Sequence, residues 1–136
     1  MKKIFILISI LLITSCSGSG KQVGVLYKEI KTNQTQIFVK RETGFAGSAA
    51  LIKVGLNGIS IGELGNNERL SAPTKVGSGI LSAGYTLIAS VGSNDASRSF
   101  QIKKGQKLFF VIKQDIGLMS TKLRIYPIDR NDFFSN

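Results

Sequence analysis

The chain has 136 residues, 18 lysines and arginines against 8 aspartates and glutamates, a net charge of +10, one cysteine and no histidine. Without histidine, Ser-His-Asp and Cys-His catalysis, imidazole metal sites and the commonest general base are excluded, and one cysteine excludes an internal disulfide framework. The basic charge raises nucleic acid as a partner, but the lysines are scattered from Lys21 to Lys122 with no basic run interleaved with aromatics, so no nucleic-acid partner is expected. Scattered charge of one sign reads as a solvated surface; its functional alternative is attraction to anionic head groups or cell-wall polymers.

In chain order, Met1-Lys2-Lys3 forms a positive start, and Ile4 to Ile13 is apolar except for Ser9. A spanning helix needs about 20 apolar residues, so this run has the length of a cleavable signal rather than a permanent anchor. Ile13-Thr14-Ser15-Cys16 follows, then Ser17-Gly18-Ser19-Gly20. The segment resembles a bacterial lipoprotein signal peptide, with Ile13 to Cys16 in the place of the lipobox. The resemblance implies cleavage between Ser15 and Cys16, diacylglycerol on the Cys16 sulfur and often a third acyl chain on the new amino terminus. Each buried CH₂ contributes about 0.8 kcal/mol and one chain binds only marginally; two or three hold a protein on a bilayer. Acylation also removes the liability of a lone thiol in an oxidising compartment. Ser17 rather than aspartate after the cysteine points, by the sorting rule of enteric lipoproteins, to the outer membrane, facing the periplasm. The alternative is an ordinary secretory signal with Cys16 incidental.

Residues 1–15 are therefore read as signal peptide, 16–34 as acylated cysteine and tether, and 35–136 as the folded domain. Removing the signal leaves 121 residues and a charge of +8, enough for one domain with a core. Ser17 to Gly20 has the composition of a flexible tether, and Val23 to Tyr27 is either a first strand or part of the linker. Thereafter short apolar runs alternate with Gly/Asn/Ser clusters, the punctuation of an all-β domain. Thr35 to Arg41 contains Ile37-Phe38-Val39, suited to a strand buried on both faces. Ala49 to Leu56 alternates, Asn57-Gly58 is a hairpin signal, and Ile59 to Leu64 returns with Ile59 and Ile61 inward. Glu68 to Ala72 reads as a short edge strand. Gly84 to Val91 places Leu87, Ala89 and Val91 on one face. Arg98 to Lys103 turns Phe100 and Ile102 inward, Gln106 to Lys113 reads as a central strand, and Ser120 to Pro127 alternates again. No helical apolar period occurs after residue 21. The expectation is an antiparallel β-sandwich of seven to nine strands.

Ile37-Phe38-Val39-Lys40-Arg41, the stretch Val54 to Leu64 with its Asn57-Gly58, Gly84-Tyr85-Thr86-Leu87 and Gly105 to Phe110 occur in an order similar to DUF2846, a family of bacterial lipoprotein domains of unknown function. The match departs at Ala83, where proline usually precedes the glycine, and at Asn67-Glu68-Arg69, which lacks the common aromatic. The resemblance spans Ile37 to about Asp132. It implies an immunoglobulin-like or PEGA-like β-fold and supplies no activity.

Candidate chemistry is sparse. The eight carboxylates are dispersed, whereas a glycosidase pair must face across a cleft. Asp129-Arg130-Asn131-Asp132 starts like a calcium loop, but Phe133-Phe134 occupy positions for oxygen ligands and glycine. Gly77-Ser78-Gly79 lacks the Gly-Lys-Ser/Thr of a phosphate loop. No metal or cofactor is expected. Thr43 to Ser48 is a glycine-rich loop with Phe45 at its tip, either a partner contact or a plug for the end of the sandwich. Phe133 and Phe134 form either a docking tail or a segment packed back on the sheet. The expected function is that of a lipid-anchored, non-enzymatic envelope lipoprotein, held by acyl chains on Cys16 and offering a binding or structural module to an envelope protein or cell-wall component. The alternatives are a surface-exclusion or immunity-type lipoprotein and, further off, a carboxylate-dependent hydrolase.

Overall fold

The computed structural model describes residues 33–44, 50–86, 93–117 and 121–135. Among them are nine strands, β1 (Gln36–Glu42), β2 (Ile52–Leu56), β3 (Ile59–Leu64), β4 (Arg69–Pro73), β5 (Gly77–Tyr85), the two-residue β6 (Ser93–Asn94), β7 (Ala96–Ile102), β8 (Lys107–Ile116) and β9 (Thr121–Ile128), and one helix, α1 (Arg130–Phe134). They form a five-stranded sheet ordered β4-β1-β8-β9-β6 and a four-stranded sheet ordered β3-β2-β5-β7. The fold is an all-β sandwich. Pairing is antiparallel except between β1 and β8 and between β6 and β9, which run parallel.

Period-two alternation builds the core between the sheets. Ile37 and Val39 of β1, Leu70 and Ala72 of β4, Phe110 and Ile112 of β8 and Leu123 and Ile125 of β9 face Ile52, Val54 and Leu56 of β2, Leu81 and Ala83 of β5 and Phe100 and Ile102 of β7. The β2–β3 hairpin turns on Asn57 (φ 53°) and Gly58 (φ 80°), the two positive values that a tight two-residue turn requires. One inward assignment fails. Ile59 lies opposite Leu56 yet is 72% exposed, because it opens β3, the edge strand of its sheet. A register shift between Val54 and Gly55 then breaks the simple alternation, leaving Ile61 half-buried against the core.

Of the expected strand at 84–91, Gly84 and Tyr85 are strand. They close β5, which Gly77-Ser78-Gly79 opens; Leu87, Ala89 and Val91 lie outside the described residues. Gly79 belongs there for packing, since a Cβ would sit 2.2 Å from the Phe100 ring.

The five-stranded sheet is apolar on its outer face as well. Phe38 is fully buried there, stacked on Phe109 at 4.8 Å between ring centroids. Helix α1, which no helical period announced because it has only five residues, lays Phe133 over both rings at 5.7 and 5.4 Å. Its carbonyls near the C-terminus meet two cations. Lys40 Nζ donates to the carbonyl of Asp132, and Arg69 donates from Nε to Phe133 O at 3.0 Å and from Nη2 to Ser135 O at 2.9 Å. Lys40 and Arg69 are register partners on β1 and β4, so one cross-strand pair holds the helix end, where positive charge is favoured. Of the two readings of the tail, packing back on the sheet holds for Phe133, which has no exposed surface for a partner. Phe134 packs edge-on against it at 5.1 Å and remains 40% exposed.

Strand directions give the sandwich two distinct ends. At one, the chain arrives at Thr35, whose Oγ1 accepts from Gly105 N and whose carbonyl accepts from Thr74 N; the β4–β5 and β7–β8 connections and the β9–α1 junction lie here. At the other, the chain leaves β1, β5 and β8 and enters β2, β6 and β9. Phe133→Ala should cost about 3–5 kcal/mol in urea unfolding, as for a buried core phenylalanine, whereas Phe134→Ala should cost about 1 kcal/mol or less. Similar losses for both would show that the helix is not seated through Phe133.

Candidate functional site at the loop end

The end where β1, β5 and β8 finish is organised by a buried arginine. Arg41 occupies the inward position after Ile37 and Val39 on β1 and is fully buried. A buried guanidinium is tolerable only when hydrogen-bonded. Nε donates to Thr43 Oγ1 at 2.9 Å, and Nη1 donates to Leu64 O at 2.8 Å and to Ala50 O. One side chain thus joins the end of β1, the end of β3 and the residues before β2.

Around it the turn between β3 and β4 is fixed by short-range polar contacts. Thr43 donates from its amide and its hydroxyl to Asn66 Oδ1, both at 3.2 Å, and Asn66 Nδ2 donates to Gly44 O at 3.0 Å. Glu68 Oε2 accepts from Gly65 N at 2.8 Å. Arg41 N donates to Glu68 O, and Asn67 N donates to Arg41 O, both at 3.0 Å. The result is a rigid floor beneath the connections of this end.

The electrostatics follow from burial. Loss of solvent lowers the Arg41 pKa from its ordinary value, with Tyr85 and Glu68 opposing the shift; the group nevertheless stays charged at any physiological pH. Burial pushes the Tyr85 phenol above 10.0, with Arg41 opposing. Tyr85 Oη is buried and finds no hydrogen-bond partner among the described residues. On the outer face of the four-stranded sheet, Lys53, Gly55, Ser60, Ser82, Gly84 and Asp95 line a shallow groove of about 260 Å³. Gly84 permits this groove, since a Cβ would lie 2.6 Å from Asp95 Oδ1.

The arginine is engaged by carbonyls and a hydroxyl, and among the described residues no group of three or more acidic or cysteine side chains is placed to hold a metal. Of the residues singled out in the sequence, Ser15, Cys16 and Phe45 lie outside the described residues. Phe133 and Phe134 sit together on the outer face of the five-stranded sheet rather than at this end. The sequence reading passed over Arg41, although its signal is present: a charged residue at an inward position of an alternating strand.

Arg41→Met should lower stability by about 2–4 kcal/mol in denaturant unfolding, because it strands the Ala50 and Leu64 carbonyls; retention of full stability would remove Arg41 as the floor of the site. Tyr85→Phe should leave stability at pH 7 unchanged or raise it by up to about 1 kcal/mol, since it deletes a hydroxyl with no partner. Above pH 10 the unfolded phenol loses its proton before the folded one, so the wild-type chain loses stability as pH rises through the raised Tyr85 pKa. The variant should lose less over that window, and identical alkaline profiles would contradict the burial of this phenol.

Comparison with known protein families, with curated proteins and with solved structures finds no match.

Proposed function

We propose that the chain is a non-enzymatic lipoprotein of the cell envelope, held by acyl chains on Cys16 at the periplasmic face of the outer membrane, whose β-sandwich serves as a binding or structural module. The observation that carries this reading is the polarity of the domain. The chain enters beside Thr35, Thr74 and Gly105, and the loop end with its Arg41 floor lies at the opposite end of the same strands. A tether that holds the near end leaves the far end, with the polar groove around Lys53 and Asp95, free to meet an envelope protein or a wall polymer. The dispersed carboxylates and the lack of histidine agree with contact rather than catalysis.

Two measurements test the proposal. Cys16→Ala should move the protein from the membrane fraction to the soluble fraction of the envelope; if the variant stays with membranes, the anchor is wrongly assigned. A photocrosslinking residue at Ile116, exposed at the end of β8, should trap an envelope component in cells, whereas the same residue at Val76, at the tether end, should not trap that component. Equal capture from both positions would contradict a partner at the loop end.

A further inference from the structure

Charge is distributed unequally between the two ends. Lys75 lies in the β4–β5 connection, Lys103 and Lys104 open the β7–β8 turn and Arg130 starts α1; all four are exposed, and the acids beside them are Asp129 and Asp132. The strands place them at one end, since Phe109 of β8 is opposite Ile128 of β9 and Gly77 of β5 is opposite Ile102 of β7. None of these four makes an ion pair among the described residues. Val76, 58% exposed, stands beside Lys75. At the loop end, by contrast, Lys53, Arg69, Lys113, Lys122 and Arg124 share the surface with Glu42, Glu63, Glu68, Asp95 and Asp115, while Lys40 and Arg41 are buried; Arg124 is paired with Asp115, and Lys113 and Lys40 with Glu42. Among the described side chains that reach the surface, the excess of positive charge therefore sits where the chain arrives. Lys107 helps to fix that arrival, with Nζ donating to the carbonyls of Gln34 and Gly105.

We infer that this basic end is a membrane-docking face for anionic lipid head groups, which seats the domain upright with its loop end pointing away from the bilayer. The inference rests on the lipid-anchor reading. The described chain begins at this end, beside Thr35, so these cations share the end from which the chain leads back to Cys16. Cations near an anionic surface are attracted over about a Debye length, and an exposed apolar residue among them adds interfacial contact. Wall polyanions carry the same charge but are not tethered to this end of the chain, and the anchor makes lipid the occupant.

The test uses the full acylated protein on vesicles of phosphatidylethanolamine, with or without phosphatidylglycerol. Fluorophores are placed through Val76→Cys or Ile116→Cys, both exposed and uncharged positions, and quenched by a head-group quencher. Quenching at position 76 should exceed that at 116 several-fold on anionic vesicles and fall in 0.5 M salt, on the order of the concentration that collapses the screening length. Lys75→Gln, Lys103→Gln, Lys104→Gln and Arg130→Gln should each reduce it roughly fivefold or less, additively, without releasing the protein from vesicles. Equal quenching at both positions, or quenching indifferent to lipid charge while the protein stays bound, overturns the docking face and leaves the anchor standing. A protein that fails to stay on any vesicle overturns both.

Discussion

The burial of β1 on both faces is the constraint from which the rest of the architecture follows. Ile37, Phe38 and Val39 have no exposed surface, and on a strand consecutive side chains point to opposite sides. One layer of covering cannot satisfy such a strand. The inward pair is met by the second sheet, and the outward Phe38 is met by Phe109 and Phe133. The short C-terminal helix is therefore a third layer, present because the five-stranded sheet has two apolar faces. Its seat uses the same strand again: the outward Lys40, with Arg69 across from it, receives the carbonyls at the end of the helix. A five-residue helix is far too short to be stable alone, so its existence depends on this docking.

The position of β1 also explains the parallel pairing with β8. β1 lies between β4 and β8; it joins β4 antiparallel and β8 in the same direction. A parallel neighbour cannot be supplied by a hairpin, so the partner comes from 71 positions later in the chain, Gln36 beside Lys107. This long-range closure brings the arrival of the chain and the β7–β8 turn to one end and sends the ends of β1 and β8 to the other. The two-ended character of the molecule is thus a consequence of one strand pairing.

What the sequence disclosed follows the same physics. Period-two alternation and Asn57-Gly58 suffice for β2, β3, β7 and β9, because these signals are local. β5 was legible only at Gly84 and Tyr85, since it opens on Gly77-Ser78-Gly79; Gly79 is small because Phe100 occupies the space over it. Ile59 was misread as core because alternation says which face a residue shares but not whether an edge strand is covered. The parallel pairing and α1 were illegible, one being set by distant partners and the other by a helix shorter than two turns. Of the candidate site, Cys16 and Phe45 belong to segments outside the described residues, the Phe133-Phe134 alternative was stated but not resolved, and Arg41 was overlooked because a charge at a strand end reads by default as solvated.

Arg41 shows why a domain of this type keeps a buried charge. An apolar side chain would pack between the sheets but could not satisfy the Leu64 and Ala50 carbonyls that converge on it, and unmet buried acceptors are costly. The guanidinium does both, closing the end of the core with a polar group whose bonds have fixed directions. A loop rooted on such a floor can change in sequence without loosening the core beneath it, whereas the apolar end-cap formed by an aromatic plug would tie loop and core together. The separation gives the two ends different chemistry. On the proposed docking, the arrival end would meet lipid head groups with a few cations of no special geometry. On the proposed partner reading, the loop end would meet that partner, and Arg41 ties its connections to the strands beneath through the Ala50 and Leu64 carbonyls.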